Sequence, residues 1–291
     1  MTVGEWCLRR AVSLSLAGFP PPDSVVRLFG TAGRPSRLPG GQGGSWRVGG
    51  VVFKRAFGLE EAIWVADTLT SLHCPDVRLP RPVQTTKGTW VADGWVAFEW
   101  LAGAHHPNRW EDVATAGRAF HSALKELDRP SFMDRRVDAW AMGDRHAWDE
   151  QRLARPGPVS ELVSRLEAAK EPVSAPSQVV HGDLTGNVLF HGSLPPAIID
   201  FCPYFRPVGF ASAIIAVAAV AWEQAPTDLM WRLADKQMLL RAAIYRLVTA
   251  ARQFADTGSA HPGHTGDADR LEWLRKEAAG LEPVVVSILA H

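Results

Sequence analysis

Cysteine is scarce in this chain, tyrosine scarcer still, and net charge is absent. Cys7, Cys74 and Cys202 are odd in number and show no C-x-x-C spacing. Neither a disulfide framework nor a zinc knuckle is therefore expected, and reduced thiols fit a cytoplasmic protein. Thirty-one basic side chains balance 31 acidic ones, which removes the electrostatic case for nucleic acid or an anionic membrane as partner. The longest apolar stretch, FASAIIAVAAVAW at 210–222, has 13 residues. That is too short to span a bilayer as a helix, so a buried core helix is expected there. LRRAVSLSLAGFPPP at 8–22 sets two Arg before a short apolar run, but two Ser interrupt it and no A-x-A site follows, so it does not read as an export signal. Internal repeats are missing, as are G-x-S-x-G, H-E-x-x-H and G-x-x-x-x-G-K-[ST] patterns. His105-His106 and His261-x-x-His264 lack carboxylate or Cys partners at metal-binding spacing and read as surface loops.

What is plentiful is apolar bulk: 46% of 291 residues are hydrophobic and 12 are Trp, enough for one large domain or two lobes. From about 36 to 100 the chain reads as strand-rich with one helix. SWRVGG and VVFKRA flank Gly49-Gly50, a hairpin signal, and TWVADGWVAFEWL folds two β-rich runs around Asp93-Gly94. LEEAIWVADTLTSL at 59–72 places Leu59, Ala62, Ile63, Ala66 and Leu69 on one helical face. After Gly103 the pattern becomes helical: 109–127, much of 138–170 and 227–256, then a polar loop at 256–270 and a last helix. The expected organisation is α+β, a β-rich lobe over 1–102 followed by a mainly helical lobe over 103–291.

Between the helical segments stand HGDLTGNVLF (181–190) and AIIDF (197–201). Short apolar runs around a charged loop suggest a small strand–loop–strand hairpin with Asp183, Asn187 and Asp200 at one end. Two carboxylates and an amide offer hard oxygen donors, which suit a magnesium ion shared with substrate phosphates. The plain alternative is that Asp183 and Asn187 only cap a turn.

Four ordered pieces go further than that loop alone: GGQGGSW (40–46), VVFK (51–54), FEWLAG (98–103) and HGDLTGN with IIDF (181–201). In this order they resemble the aminoglycoside phosphotransferase-like family of the protein-kinase-like superfamily, over roughly 36–225. The resemblance implies a two-lobe kinase-like fold and ATP-dependent transfer of the γ-phosphoryl group to a hydroxyl of a small molecule. Phosphoryl transfer needs positioning and charge neutralisation more than covalent help. Gly41, Gly43 and Gly44, lacking Cβ atoms, would lie close over the phosphates. Lys54 would reach the α/β-phosphates, steadied by Glu61 on the following helix. Backbone groups of Glu99 and Leu101 would meet the adenine edge, with Gly103 easing the crossing. Asp183 would orient the acceptor hydroxyl and take its proton, Asn187 and Asp200 would hold Mg²⁺, and His181 would brace the loop. Arg206, six residues past Asp200, could neutralise phosphate charge, and a surface position is the plainer reading.

Two departures from the family pattern are visible. Asn187 follows Asp183 by four residues instead of five, and FRPVGFASA (205–213) keeps Pro207 without the acidic residues of Gly-Asp-Pro-x-x-Asp. They keep open an alternative, a non-catalytic pseudokinase-like nucleotide-binding module. A protein kinase proper is disfavoured, since neither DFG nor APE occurs. Acids such as Glu111, Asp112, Asp144, Asp149 and Glu150 are candidates for an aminoglycoside pocket, and solvated helix faces explain them equally well. The acceptor, the choice of ATP over GTP and the oligomeric state are not legible.

Overall fold

The computed structural model describes residues 18–39, 44–154, 157–255 and 267–291. Residues 8–17, Gly40, Gly41, Gly43, His261 and His264 lie outside them. The chain parts into two compact units, one running through His105 and including Gly186–Phe201, the other made of His106–Thr185 and Cys202–His291. A single break at 102/103 was the expectation; the units instead are each discontinuous. The reason is hydrogen bonding: the segment 188–198 pairs with residues of the first unit, through Arg78 N–H to Pro196 O (2.8 Å) and Phe190 N–H to Ala104 O (2.9 Å).

The first unit carries helix α1 (Asp23–Leu28) and an antiparallel sheet of β1 (Ser36–Arg37), β2 (Trp46–Val48), β3 (Val51–Arg55) and β4 (Trp95–Glu99), in that order. Val25, Val26 and Phe29 close its core against Val48, Phe53, Trp95 and Ala97. Gly49, at φ 59°, makes the β2–β3 turn, and Asp93-Gly94, at φ 48° and 75°, makes a turn with both central residues left-handed. Only the run after that second turn becomes a strand. Residues 81–83 occupy its far edge instead, Val83 N–H bonding Ala97 O and Glu99 N–H bonding Arg81 O.

Helix α2 (Leu59–Ser71) forms where its periodicity predicts, but its buried face is Val65, Ala66, Thr68 and Leu69. Leu59 and Ile63 are 63% and 39% exposed, so the apolar stripe is turned partly away from the expected face. β6 (Val188–His191) and β7 (Leu194–Ile198) complete this unit as a hairpin. Gly103, at φ 145°, crosses β6 so closely that an added Cβ would stand 2.9 Å from the Leu189 Cβ.

The second unit is helical around one ladder, β5 (Gln178–His181) antiparallel to β8 (Pro203–Arg206). Its helices are α3 (Trp110–Leu124), α4 (Ala139–Ala147), α5 (Pro158–Ala168), α6 (Val208–Trp222), α7 (Asp228–Leu233), α8 (Lys236–Ala255) and α9 (Asp267–Ala290). Asp138 caps α4 by accepting from Ala141 N–H at 3.0 Å. The expected core helix is α6, whose residues Phe210 to Ala219 are all buried. It shares one apolar cluster with residues of α4, α5, α8 and α9. Cys74 and Cys202 form no disulfide, and among the described residues no helix is long and apolar enough to cross a membrane.

Candidate active site

The loop that raised the functional question is built differently from the hairpin its pattern suggested. β5 pairs with β8, whereas β6 pairs with β7. A tight turn containing Gly192 at φ 52° favours the local β6–β7 pairing, which leaves β5 to find its partner 22 residues further on. Asp183 consequently belongs to the second unit, and Asn187 and Asp200 to the first.

In the first unit, Val188 stands opposite Ile198, and Ile199 N–H donates to Asn187 O at 3.0 Å. Asn187 and Asp200 thereby sit at the same end of the β6–β7 ladder. Lys54, in β3, forms an ion pair with Asp200 Oδ1. The side chain of Lys54 is 18% exposed and that of Asp200 44%, so the carboxylate keeps access to solvent while the ammonium is largely enclosed. Asp200 itself holds φ 55°, a left-handed conformation that Asp tolerates better than most side chains. Glu61 was the expected partner of Lys54. It lies half-buried in the first turn of α2, and the carboxylate that Lys54 pairs with is Asp200.

Glu99 N–H turns to Arg81 O and Trp100 N–H to Gly50 O, both at 2.8 Å. Among the described residues the Leu101 N–H and C=O have no hydrogen-bond partner. Gly44 lies in the segment entering β2; Gly41 and Gly43 fall outside the described residues.

In the second unit the Asp183 loop is held by two imidazoles and one guanidinium. Asp183 N–H donates to His181 Nδ1 at 3.1 Å, and His181 N–H donates to His121 Nε2 at 2.9 Å. Both rings are buried, at 0% and 2% exposure. Burial, and then the neighbouring His181, lowers the pKa of His121 to about 3, so its ring is neutral and its Nε2 is a standing acceptor. His181 thus braces the loop as expected. Gly182 is required here, because a methyl group would overlap the Tyr204 ring.

Arg246, in α8, places Nη2 3.5 Å from Asp183 Oδ1 and is 9% exposed. Sequence reading passed it over, although a charged residue inside the apolar run 242–251 was the available signal. Arg206 is no surface residue. Its side chain is 11% exposed and reaches Asp144 Oδ2 at 2.6 Å and also Glu150. With Arg136, which donates to Pro203 O at 2.8 Å, it anchors β8 where the family's acidic segment is missing.

A β-sheet unit carrying a lysine–aspartate pair, and a helical unit carrying a braced His-Gly-Asp loop, define a kinase-like small-molecule phosphotransferase. Residues 48–205 match the profile of the family described as "Phosphotransferase enzyme family", and with more than half its length matched the chain belongs to that family. Solved structures agree on the fold. The spectinomycin phosphotransferase APH(9)-Ia in complex with ADP and spectinomycin is 14% identical, with TM-score 0.57 over 92% of this chain and 96% of that one. A choline/ethanolamine kinase family protein from Mesorhizobium loti is 19% identical, with TM-score 0.55 over 98% of each chain. The amicoumacin kinase hAmiN, in complex with AMP-PNP, Ca²⁺ and Ami, is 13% identical, with TM-score 0.55 over 97% of this chain and 94% of that one. No curated protein sequence matches the chain.

Proposed function

We propose that the chain transfers the γ-phosphoryl group of ATP to a hydroxyl of a small molecule, with Asp183 as the general base. The observation that carries this reading is the Lys54–Asp200 ion pair beside Asn187, in a chain of the phosphotransferase family. Asn187 and Asp200 offer hard oxygen donors, and Asp200 retains an accessible carboxylate. Among the described residues no group of three His, Cys, Asp or Glu side chains gathers around a possible ion. A cation bound there needs phosphate oxygens to complete its shell, as magnesium in nucleotide sites does, so the residues fit Mg²⁺. When bound, that ion supplies charge neutralisation on the β- and γ-phosphates.

The roles of the side chains follow from their chemistry. Lys54 holds the α/β-phosphates, its ammonium exchanging part of its contact with Asp200 for phosphate oxygen. Glu61 at the start of α2 contributes negative potential near that ammonium. The Leu101 N–H and C=O and the Glu99 carbonyl hold the adenine edge, while Gly41, Gly43 and Gly44 let backbone N–H groups approach the phosphates. Asp183 accepts the proton of the acceptor hydroxyl as its oxygen bonds to Pγ, and the β–γ bridging oxygen leaves with ADP. The protein is proposed to act in the cytoplasm.

Asp183→Asn is expected to lower phosphoryl transfer about 10²–10⁴-fold and to leave ATP affinity nearly intact, read by coupled ADP release and calorimetry. Asp200→Asn should abolish the Mg²⁺-dependent part of ATP binding. Metal-dependent ATP binding with neither transfer nor slow hydrolysis in the unmutated protein would favour the pseudokinase-like alternative.

A further inference from the structure

Within the helical unit lies a cavity of about 240 Å³ walled by Trp140, Trp222, Arg246, Thr249, Gln253 and Glu277. Arg246 connects it to Asp183, since the same guanidinium that reaches the carboxylate at 3.5 Å also faces the cavity. We infer that this cavity is the acceptor site and that it selects a compact, single-ring alcohol, neutral or anionic, against cationic acceptors. The inference rests on the reading of Asp183 as the base and gives that reading a substrate class.

Charge argues first. The acids named above as candidates for a polycation pocket are each paired with a basic side chain of the protein. Glu111 meets Arg232 at 2.9 Å, Asp112 meets Arg109 at 2.8 Å and Asp149 meets Lys170 at 2.6 Å. Asp144 and Glu150 share Arg206. Glu277 is the one carboxylate in the cavity lining. Burial raises its pKa against the opposing effect of Arg246, which weakens it further as a receptor for cations.

The aromatic walls argue next. Two indole faces beside a carboxylate are the usual receptor for an ammonium group. Here the Arg246 Cζ stands 5.5 Å from the ring centroids of both Trp140 and Trp222. The guanidinium occupies the position a ligand cation would take, and a second cation would meet it directly.

Unmet hydrogen bonds and size complete the case. Arg246 Nε and Thr249 Oγ1 are buried and have no partner among the described residues. A buried donor left so is costly unless a ligand or water oxygen serves it. A volume of about 240 Å³ falls below the span of roughly 300–1,000 Å³ for drug-sized ligands. A single ring matches that volume.

The test is calorimetric titration of the full chain with three probes that differ in one substituent: 4-(hydroxymethyl)benzoate, benzyl alcohol and 4-(aminomethyl)benzyl alcohol, with kanamycin as a polycation. The benzoate and the neutral alcohol are expected to bind at least tenfold tighter than the amine, and kanamycin to give no heat. Arg246→Gln should reverse the order of the charged pair. Trp222→Leu, read independently in case Arg246→Gln does not fold, should weaken the benzoate and the neutral alcohol at least tenfold. Tightest binding of the amine or kanamycin to the unmutated protein overturns the inference. So does an absence of heat with all probes, or unaltered affinities in the folded Trp222→Leu variant. ADP release separates this result from the reading beneath it: acceptor-dependent turnover that favours the amine sinks the selectivity alone, whereas absence of Mg²⁺-dependent nucleotide turnover sinks the phosphotransferase reading.

Discussion

Asp183 is held from behind, through a chain of hydrogen bonds that ends on a buried ring. His121 accepts from the His181 backbone, and His181 accepts from the Asp183 backbone, so a proton arriving on His121 Nε2 would break the chain at its root. Burial and the adjacent His181 hold the pKa of His121 at about 3, down from 6.5. Below pH 6.5 the unfolded chain therefore binds a proton at this site that the folded chain refuses. The associated stability is complete above pH 6.5 and is lost as pH falls toward 3, with a slope of about 1.4 kcal/mol per pH unit. At pH 5 the loss from this ring alone is about 2 kcal/mol. Urea midpoints measured at pH 7 and pH 5 should show it, and His121→Gln, which keeps an oxygen acceptor, should flatten the dependence. An equally steep fall in that variant would place the acid sensitivity elsewhere.

Helices α4 and α8 approach closely enough that one hydrogen atom matters. A Cβ at Gly143 would stand 3.0 Å from Tyr245 O and 3.1 Å from Thr249 N, both backbone atoms of α8. In an exposed helix Gly→Ala gains about 0.5–1 kcal/mol of propensity; here the crowding of about 1–3 kcal/mol outweighs it. Gly143→Ala should therefore lower stability by about 1–2 kcal/mol, seen as a lower urea midpoint at unchanged slope. The same scale explains what was legible. The Gly49 and Asp93-Gly94 turns, the amphipathic runs and the apolar block of α6 are local patterns, and each reached the folded chain close to where it was read. β8 was missed because Pro203 opens it, a position proline tolerates at the first residue of a strand. The pairing of β5 with β8, the ion pair of Lys54 with Asp200, and the contact of Arg246 with Asp183 all join residues far apart in the chain. No periodicity encodes them. Arg206 was misjudged for the same reason, since only its distant partners Asp144 and Glu150 make burying it tolerable.

At the scale of the whole molecule the chain passes from the first unit to the second, back again for Gly186–Phe201, and out once more. Neither unit is contiguous in sequence. The ladder β5–β8 in one unit brackets the hairpin β6–β7 in the other, so unfolding either releases the ends that hold a structural segment of its neighbour. This threading favours a single cooperative transition, even though Lys54, Asn187 and Asp200 all belong to one unit. A nucleotide bound through those three residues should then stabilise the entire chain. At a free concentration 100 times its Kd, ATP with Mg²⁺ adds about 2.7 kcal/mol. Scanning calorimetry should show one transition moving upward as ATP·Mg²⁺ is added, and Asp200→Asn should lose the part of the shift that depends on Mg²⁺. Two resolved transitions, of which only one responds to nucleotide, would mean that the two crossings of the chain do not couple the units.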